Sequence, residues 1–147
     1  MTSVHNSELQ RNLKKEIMIQ YWGEVKDVIS DADYSIVNFE CPVTKGGEKP
    51  IEKCGPNLQC SEKGMEAVKW AGFDCVTLAN NHFLDYGKDG VENTLEACKK
   101  YGIDTVGGGK NLHESSKILY KEVDGKTLAL RYYPNVGIIS VKEKCVP

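Results

Sequence analysis

The chain has 147 residues, 27% of them charged and 40% apolar, with 19 basic side chains against 21 acidic ones. This length predicts about one domain, able to bury roughly 68–70% of its unfolded surface without disulfides, and the apolar content excludes wholesale disorder. The net charge of −2 argues against a nucleic-acid backbone as partner, and no run approaches the roughly 18 apolar residues of a membrane-spanning helix.

In chain order, Leu9, Leu13, Ile17 and Tyr21 come first, spaced as on one helix face. Charges at Glu8, Arg11, Lys14, Lys15 and Glu16 exclude an apolar export signal there, so the expected location is cytoplasmic. A helix-then-strand unit then repeats. Val25, Val28, Ile29 and Ala32 sit at helical spacing before Ser35-Ile36-Val37-Asn38-Phe39. Met65, Val68 and Ala71 precede Gly72 and Cys75-Val76-Thr77-Leu78-Ala79, and Val91, Leu95 and Cys98 precede Gly102 and Ile103-Asp104-Thr105-Val106. Gly72 and Gly102 stand where a left-handed helix cap is wanted, and Asp89 with Glu92 has the spacing of a capping box. The short, near-continuously apolar strands read as a parallel sheet buried on both faces, hence an α/β architecture. Residues 117–123 and 126–130 flank Asp124-Gly125, a strong β-hairpin signal, and residues 136–141 offer one more strand.

Ligands in such sheets sit beyond the carboxyl ends of the strands. There the chain places Asn38 and Glu40 after the first strand, Asn80, Asn81, His82 and Asp85 after the second, and Gly107-Gly108-Gly109 after the third. Glu40, Asn81 and His82 would converge on one rim. A carboxylate, an amide oxygen and an imidazole suit Mg, Mn, Zn or Fe, and an imidazole beside a metal is a good general acid. The same residues also fit plainer roles: Asn80-Asn81 as an Asx-turn, Glu40 as a cap or a lysine partner. The glycine run fits either backbone approach to an anion or a flexible turn. Residues 41–60 form a long aperiodic segment, in which Lys53 is either an anion contact or a solvated lysine. His5 and His113 read as surface residues. The six cysteines contain no C-x-x-C pair and read as reduced core thiols, with a Cys54–Cys60 disulfide as the other possibility.

Several stretches resemble the bacterial capsule synthesis (CapA, poly-γ-glutamate synthesis) family, a branch of the calcineurin-like metallophosphoesterases. They are Ala32-Asp33-Tyr34-Ser35-Ile36-Val37-Asn38-Phe39-Glu40 with Pro42-Val43-Thr44, then Lys53 with Gly55-Pro56-Asn57, and Ala71-Gly72-Phe73-Asp74. The most specific is Leu78-Ala79-Asn80-Asn81-His82-Phe83-Leu84-Asp85-Tyr86-Gly87, followed by Gly102-Ile103 and Val106-Gly107-Gly108-Gly109-Lys110-Asn111-Leu112. The similarity covers about residues 21–130 of a single 1–147 domain. It implies a partial α/β/β/α sandwich. Glu40 and Asn81 would be metal ligands, His82 a catalytic proton donor to a phosphoryl or leaving oxygen, and Asp85 its orienting partner, with Asn38, Lys53 and Asn80 binding substrate.

The family opens with a strand ending in Gly-Asp and supplies later histidines as ligands. Neither feature is found here, and residues 131–147 do not resemble the family's continuation. Two named ligands fall short of the roughly five to seven of a dinuclear site, so metal binding by this chain is expected to be weak. The hairpin is expected to have little to pack on, leaving an exposed edge prone to self-association. The resemblance implies an anionic phosphoester or polyglutamate substrate and capsule synthesis machinery as partners. It leaves three roles open: a metal-dependent hydrolase, a non-catalytic binding or assembly component, and an inactive shortened product.

Overall fold

The computed structural model describes residues 19, 22–133 and 138–143. Helix α1 covers residues 22–30, and β1 (Ile36–Asn38), α2 (Lys63–Ala71), β2 (Cys75–Thr77), α3 (Gly87–Tyr101), β3 (Asp104–Val106) and the single turn α4 (Leu112–Ser115) follow. The chain ends in β4 (Leu119–Val123), β5 (Lys126–Tyr133) and β6 (Ile138–Glu143). The face of Leu9, Leu13, Ile17 and Tyr21 lies outside the described residues, as does His5.

β1, β2 and β3 pair in parallel in that order, with Ile36 opposite Cys75 and Cys75 opposite Asp104. β4, β5 and β6 form a separate antiparallel sheet. Side chains of a strand alternate between faces, and here each face has its own cover. Val76 and Leu78 point into a core with Met65, Val68 and Ala71 of α2 and Val91, Ala97 and Cys98 of α3. On the opposite face, Cys75 and Val106 meet Leu130 of β5, with Ile36, Leu119, Leu128 and Tyr132 around them. The order is helices, parallel sheet, antiparallel sheet. The hairpin therefore has a partner, contrary to the expectation of little to pack on: its inward residues Leu119, Leu128 and Leu130 cover the second face of the parallel sheet.

Local signals explain most boundaries. Gly72 (φ 102°) and Gly102 (φ 63°) end α2 and α3 in the left-handed conformation, as their positions predict. Asp124 (φ 47°) and Gly125 (φ 72°) form the two-residue turn of the hairpin, both in the positive-φ region that such a turn demands. The capping box does not form. α3 begins two residues before Asp89, with Tyr86 at its N-cap, so Asp89 lies inside the first turn and Glu92 pairs with Lys88 and Lys110 instead. In α1 the inward residues are Trp22, which meets Phe73 edge-on at 5.8 Å, and Ile29 seven positions on. Val25 and Val28, part of the predicted stripe, are exposed.

The glycine run makes a close crossing. A Cβ on Gly108 would stand 2.5 Å from Leu78 Cδ1 and 2.7 Å from Leu78 Cβ. The loop after β3 thus lies directly on the residue that leaves β2, which only a glycine permits. The segment over residues 41–60 is tied down at several points. Val43 donates to Thr94 Oγ1 (2.8 Å), Thr44 and Cys60 pair through the backbone, and Glu48 accepts from Lys45 N, Gly46 N and Asn93 Nδ2.

Candidate functional site

The carboxyl ends of β1 and β2 are fastened to each other by amides. Thr77 Oγ1 donates to Asn38 Oδ1 (3.2 Å), and Asn80 Nδ2 donates to Phe39 O (3.1 Å) and to Asn38 Oδ1 (3.4 Å). Asn80 Oδ1 in turn accepts from His82 N at 3.0 Å, the Asx-turn that the sequence allowed. The side chains of Asn38 and Asn80 therefore brace the rim from which Asn81 and His82 project.

Asp85 is the centre of the arrangement. Its side chain is 0% exposed, yet it is surrounded by donors. Lys53 Nζ donates to Oδ1, while Leu58 N and His82 Nδ1 each approach Oδ2 at 2.7 Å. Burial by itself pushes the Asp85 carboxyl up. The Lys53 ammonium, the His82 ring and the Leu58 N–H outweigh it and hold the group below the usual carboxylate range. An ionised carboxylate only accepts, so Nδ1 of His82 carries a proton and donates it to Asp85. Lys53 Nζ lies 3.2 Å from the same Nδ1. Both groups are donors, so that approach is held by the shared carboxylate and not by a hydrogen bond between them.

The consequence is a fixed ring. With Nδ1–H committed to Asp85, Nε2 is left as the ring's free nitrogen, 4.0 Å from Glu40 Oε1. The His82 side chain is 13% exposed and Glu40 51%. Asn81, the neighbouring residue in the turn, is exposed. Of the expected rim residues Glu40, Asn81 and His82, the structure sets Glu40 and His82 4.0 Å apart, with Asn81 exposed beside them; Asp85 lies on the ring's other nitrogen, and Lys53 reaches it from the long loop. Lys53 lies against Asp85, its charge taken up there. The donor missed in the sequence is Leu58 N. A backbone group leaves no side-chain signature, although Gly55-Pro56-Asn57 does mark the turn that presents it.

The donors at the rim fit a divalent cation in kind. Glu40 offers a carboxylate and Asn81 an amide oxygen, both hard ligands. In number they are two, and among the described residues no group of three or more His, Cys, Asp or Glu side chains is placed to hold a metal ion. The thiols do not compete for this role. Cys41, Cys54, Cys60, Cys75 and Cys98 are all free, so the Cys54–Cys60 disulfide is not formed. Burial pushes the Cys60 thiol up to about 12 and the Cys75 thiol up to about 11. Burial, then the Glu40 and Asp85 carboxylates, also raise Cys41. His113 is exposed, as expected. Among the described residues no helix is long and apolar enough to cross a membrane.

Comparison with known proteins identifies the family. Residues 3–142 match the model of the bacterial capsule synthesis protein family PGA_cap. The span extends past 21–130 at both ends and takes in 131–142, which the sequence reading had set apart. The fold gives the reason: β6 pairs with β5 in register, Leu130 opposite Val141, and completes the antiparallel sheet. The chain is 34% identical to a capsule biosynthesis protein CapA of Bacillus anthracis, over 98% of this chain and 37% of that protein. It is also 34% identical to a poly-γ-glutamate (PGA) biosynthesis protein CapA of Bacillus subtilis, over 77% of this chain and 30% of the relative. The chain spans about a third of the length of these relatives. With nearly its whole length matched, the chain belongs to the bacterial capsule synthesis protein family.

Proposed function

We propose that the rim formed by Glu40, Asn81 and His82 is a phosphoryl-type anion site, and that the chain acts in synthesis of a capsule or poly-γ-glutamate polymer. The observation that carries the reading is the buried Asp85 carboxylate, which holds His82 with Nδ1 protonated and Nε2 at the rim, 4.0 Å from Glu40. A histidine so oriented takes up a proton at Nε2 and delivers it to an oxygen bound beside it, a role typically worth about 10²–10⁴ in rate. Asp85 contacts the ring at Nδ1, and Glu40 Oε1 lies 4.0 Å from Nε2. Glu40 and Asn81 are the residues that would hold a divalent cation (Mg, Mn, Zn or Fe), which when bound would polarise a phosphoryl oxygen. Asn38 and Asn80 keep the two strand ends at fixed separation.

The reading is tested by phosphate binding. In the ¹⁵N-histidine-labelled chain with Mg²⁺ present, inorganic phosphate is expected to shift the His82 Nε2 resonance. Glu40→Gln should weaken that response about tenfold, or roughly 1.4 kcal/mol. No His82 shift up to roughly 10 mM phosphate, with Mg²⁺ or Zn²⁺, means affinity weaker than about 3 kcal/mol and overturns the reading. The small donor set favours a second reading, a non-catalytic binding component of the polymer synthesis machinery. Retention of poly-γ-glutamate by the chain without any phosphate response would select it.

A further inference from the structure

We infer that residues 51–58 form a strap latched on Asp85, a unit that opens locally and holds the His82 ring in place when closed. The latch stands on the geometry of the loop, and its link to a ligand rests on the reading of the rim given above.

The ends of the strap are fixed and its middle is not packed. On the amino side, Glu48 accepts from Lys45 N, Gly46 N and Asn93 Nδ2. On the carboxyl side, Cys60 N donates to Pro42 O (3.1 Å) and Thr44 N to Cys60 O (2.9 Å). Between these anchors no side chain of residues 51–58 is fully buried, and Ile51 is 39% exposed. Asn57 Nδ2 donates to Ile51 O (3.0 Å), so the two ends of the strap are joined and move together. Among the described residues, the three hydrogen bonds that tie the strap to the rest of the domain all end on Asp85. Ile51 N donates to its carbonyl (2.9 Å), Lys53 Nζ to Oδ1 and Leu58 N to Oδ2 (2.7 Å). A segment with no fully buried apolar side chain and one point of attachment opens at a lower free energy than the core.

Two opposed terms set the latch. Asn57 Oδ1 is buried and finds no donor among the described residues, and opening returns it to water. Against that, the Asp85 carboxylate, 0% exposed, loses Lys53 and Leu58 N when the strap lifts. The oxygen that accepts from Leu58 N also meets His82 Nδ1 at 2.7 Å. Opening therefore frees Asp85 and removes the seat of the ring. A ligand that needs the ring in place favours the closed strap by its difference in affinity for the two forms.

Amide hydrogen exchange of the full chain, residue by residue, tests the latch. Ile51 and Leu58 should show the same protection within about threefold, and at least about tenfold less than Thr44 and Cys60 outside the strap. Lys53→Met should lower the protection of Ile51 and Leu58 by one common factor and leave Thr44 and Cys60 unchanged. Unrelated protection at Ile51 and Leu58 in the unmodified chain overturns the inference whether or not the variant folds. So does protection there equal to that of Thr44 and Cys60. A Lys53→Met effect confined to one of the two amides, or absent from both, overturns it as well. The link to the site is read by adding inorganic phosphate with Mg²⁺. At about ten times the Kd taken from the His82 shift, a ligand held by the closed form alone slows both amides about tenfold. A His82 shift with the exchange of the strap unaltered overturns its role in holding the ring. Absence of any His82 shift, with the two amides behaving as stated, sinks the anion-site reading alone.

Discussion

Replacing Asp85 by asparagine tests the charge at the centre of the site with almost no change in shape. The carboxylate accepts from Lys53 at one oxygen and from His82 Nδ1 and Leu58 N at the other. An amide cannot do both. Whichever way it is turned, its NH₂ faces either the Lys53 ammonium or two N–H groups, and Lys53 is left without its counter-charge. Breaking a buried pair in this manner costs about 3–5 kcal/mol, and Lys53 keeps some contact with water, which places Asp85→Asn near the lower end, about 3 kcal/mol. Domain stabilities of about 5–15 kcal/mol make that a large fraction.

Urea unfolding reads the effect directly. With a slope of about 2 kcal/mol/M, the midpoint of Asp85→Asn should fall by roughly 1.5 M at neutral pH with the slope unchanged. The pH dependence supplies an internal check. Burial raises the Asp85 carboxyl, but Lys53, His82 and Leu58 N outweigh it, so the folded value lies below the unfolded one of about 3.9. A group depressed on folding contributes fully above its unfolded value and loses that contribution as pH falls through the folded value. The gap between parent and Asp85→Asn should therefore be constant from neutral pH down to about 4 and close below it. A gap under about 1 kcal/mol at neutral pH would refute the reasoning, as would one undiminished at the acid end.

Two further perturbations probe the frame around the site. Leu130→Ala removes a fully buried side chain from the interface between the two sheets and should cost about 3–5 kcal/mol in urea unfolding, whereas Tyr120→Ala, on an exposed position of β4, should stay within about 0.5 kcal/mol. Gly108→Ala sets a methyl group 2.5 Å from Leu78 Cδ1; a loss of about 1–3 kcal/mol is expected by the same assay, and a neutral result would show that the loop after β3 does not press on the end of β2.

How far the sequence exposes this site depends on what carries each part of it. The rim was legible because strand ends are local. A buried strand followed by asparagine, histidine and aspartate can project those groups only beyond the sheet, and Asn80 then makes the Asx-turn that its type favours. The hairpin was legible for the same reason, since Asp124-Gly125 fixes the turn irrespective of the rest of the fold. What Lys53 faces was not. It reaches Asp85 across 32 positions from a segment with no periodicity, and that segment is anchored by backbone N–H groups of Ile51 and Leu58 that every residue type possesses. The same limit hid the contact of Tyr34 and Lys121 with Asp104, which joins the loop before β1 to the hairpin. A lysine near a candidate anion site suggests, by charge alone, an anion contact. A fully buried carboxylate within reach has the stronger claim on it, because an exposed anion finds counter-ions in water and a buried one does not. The aspartate that orients the histidine therefore implies a cation elsewhere in the chain, and in this fold the long aperiodic loop is the element that delivers it.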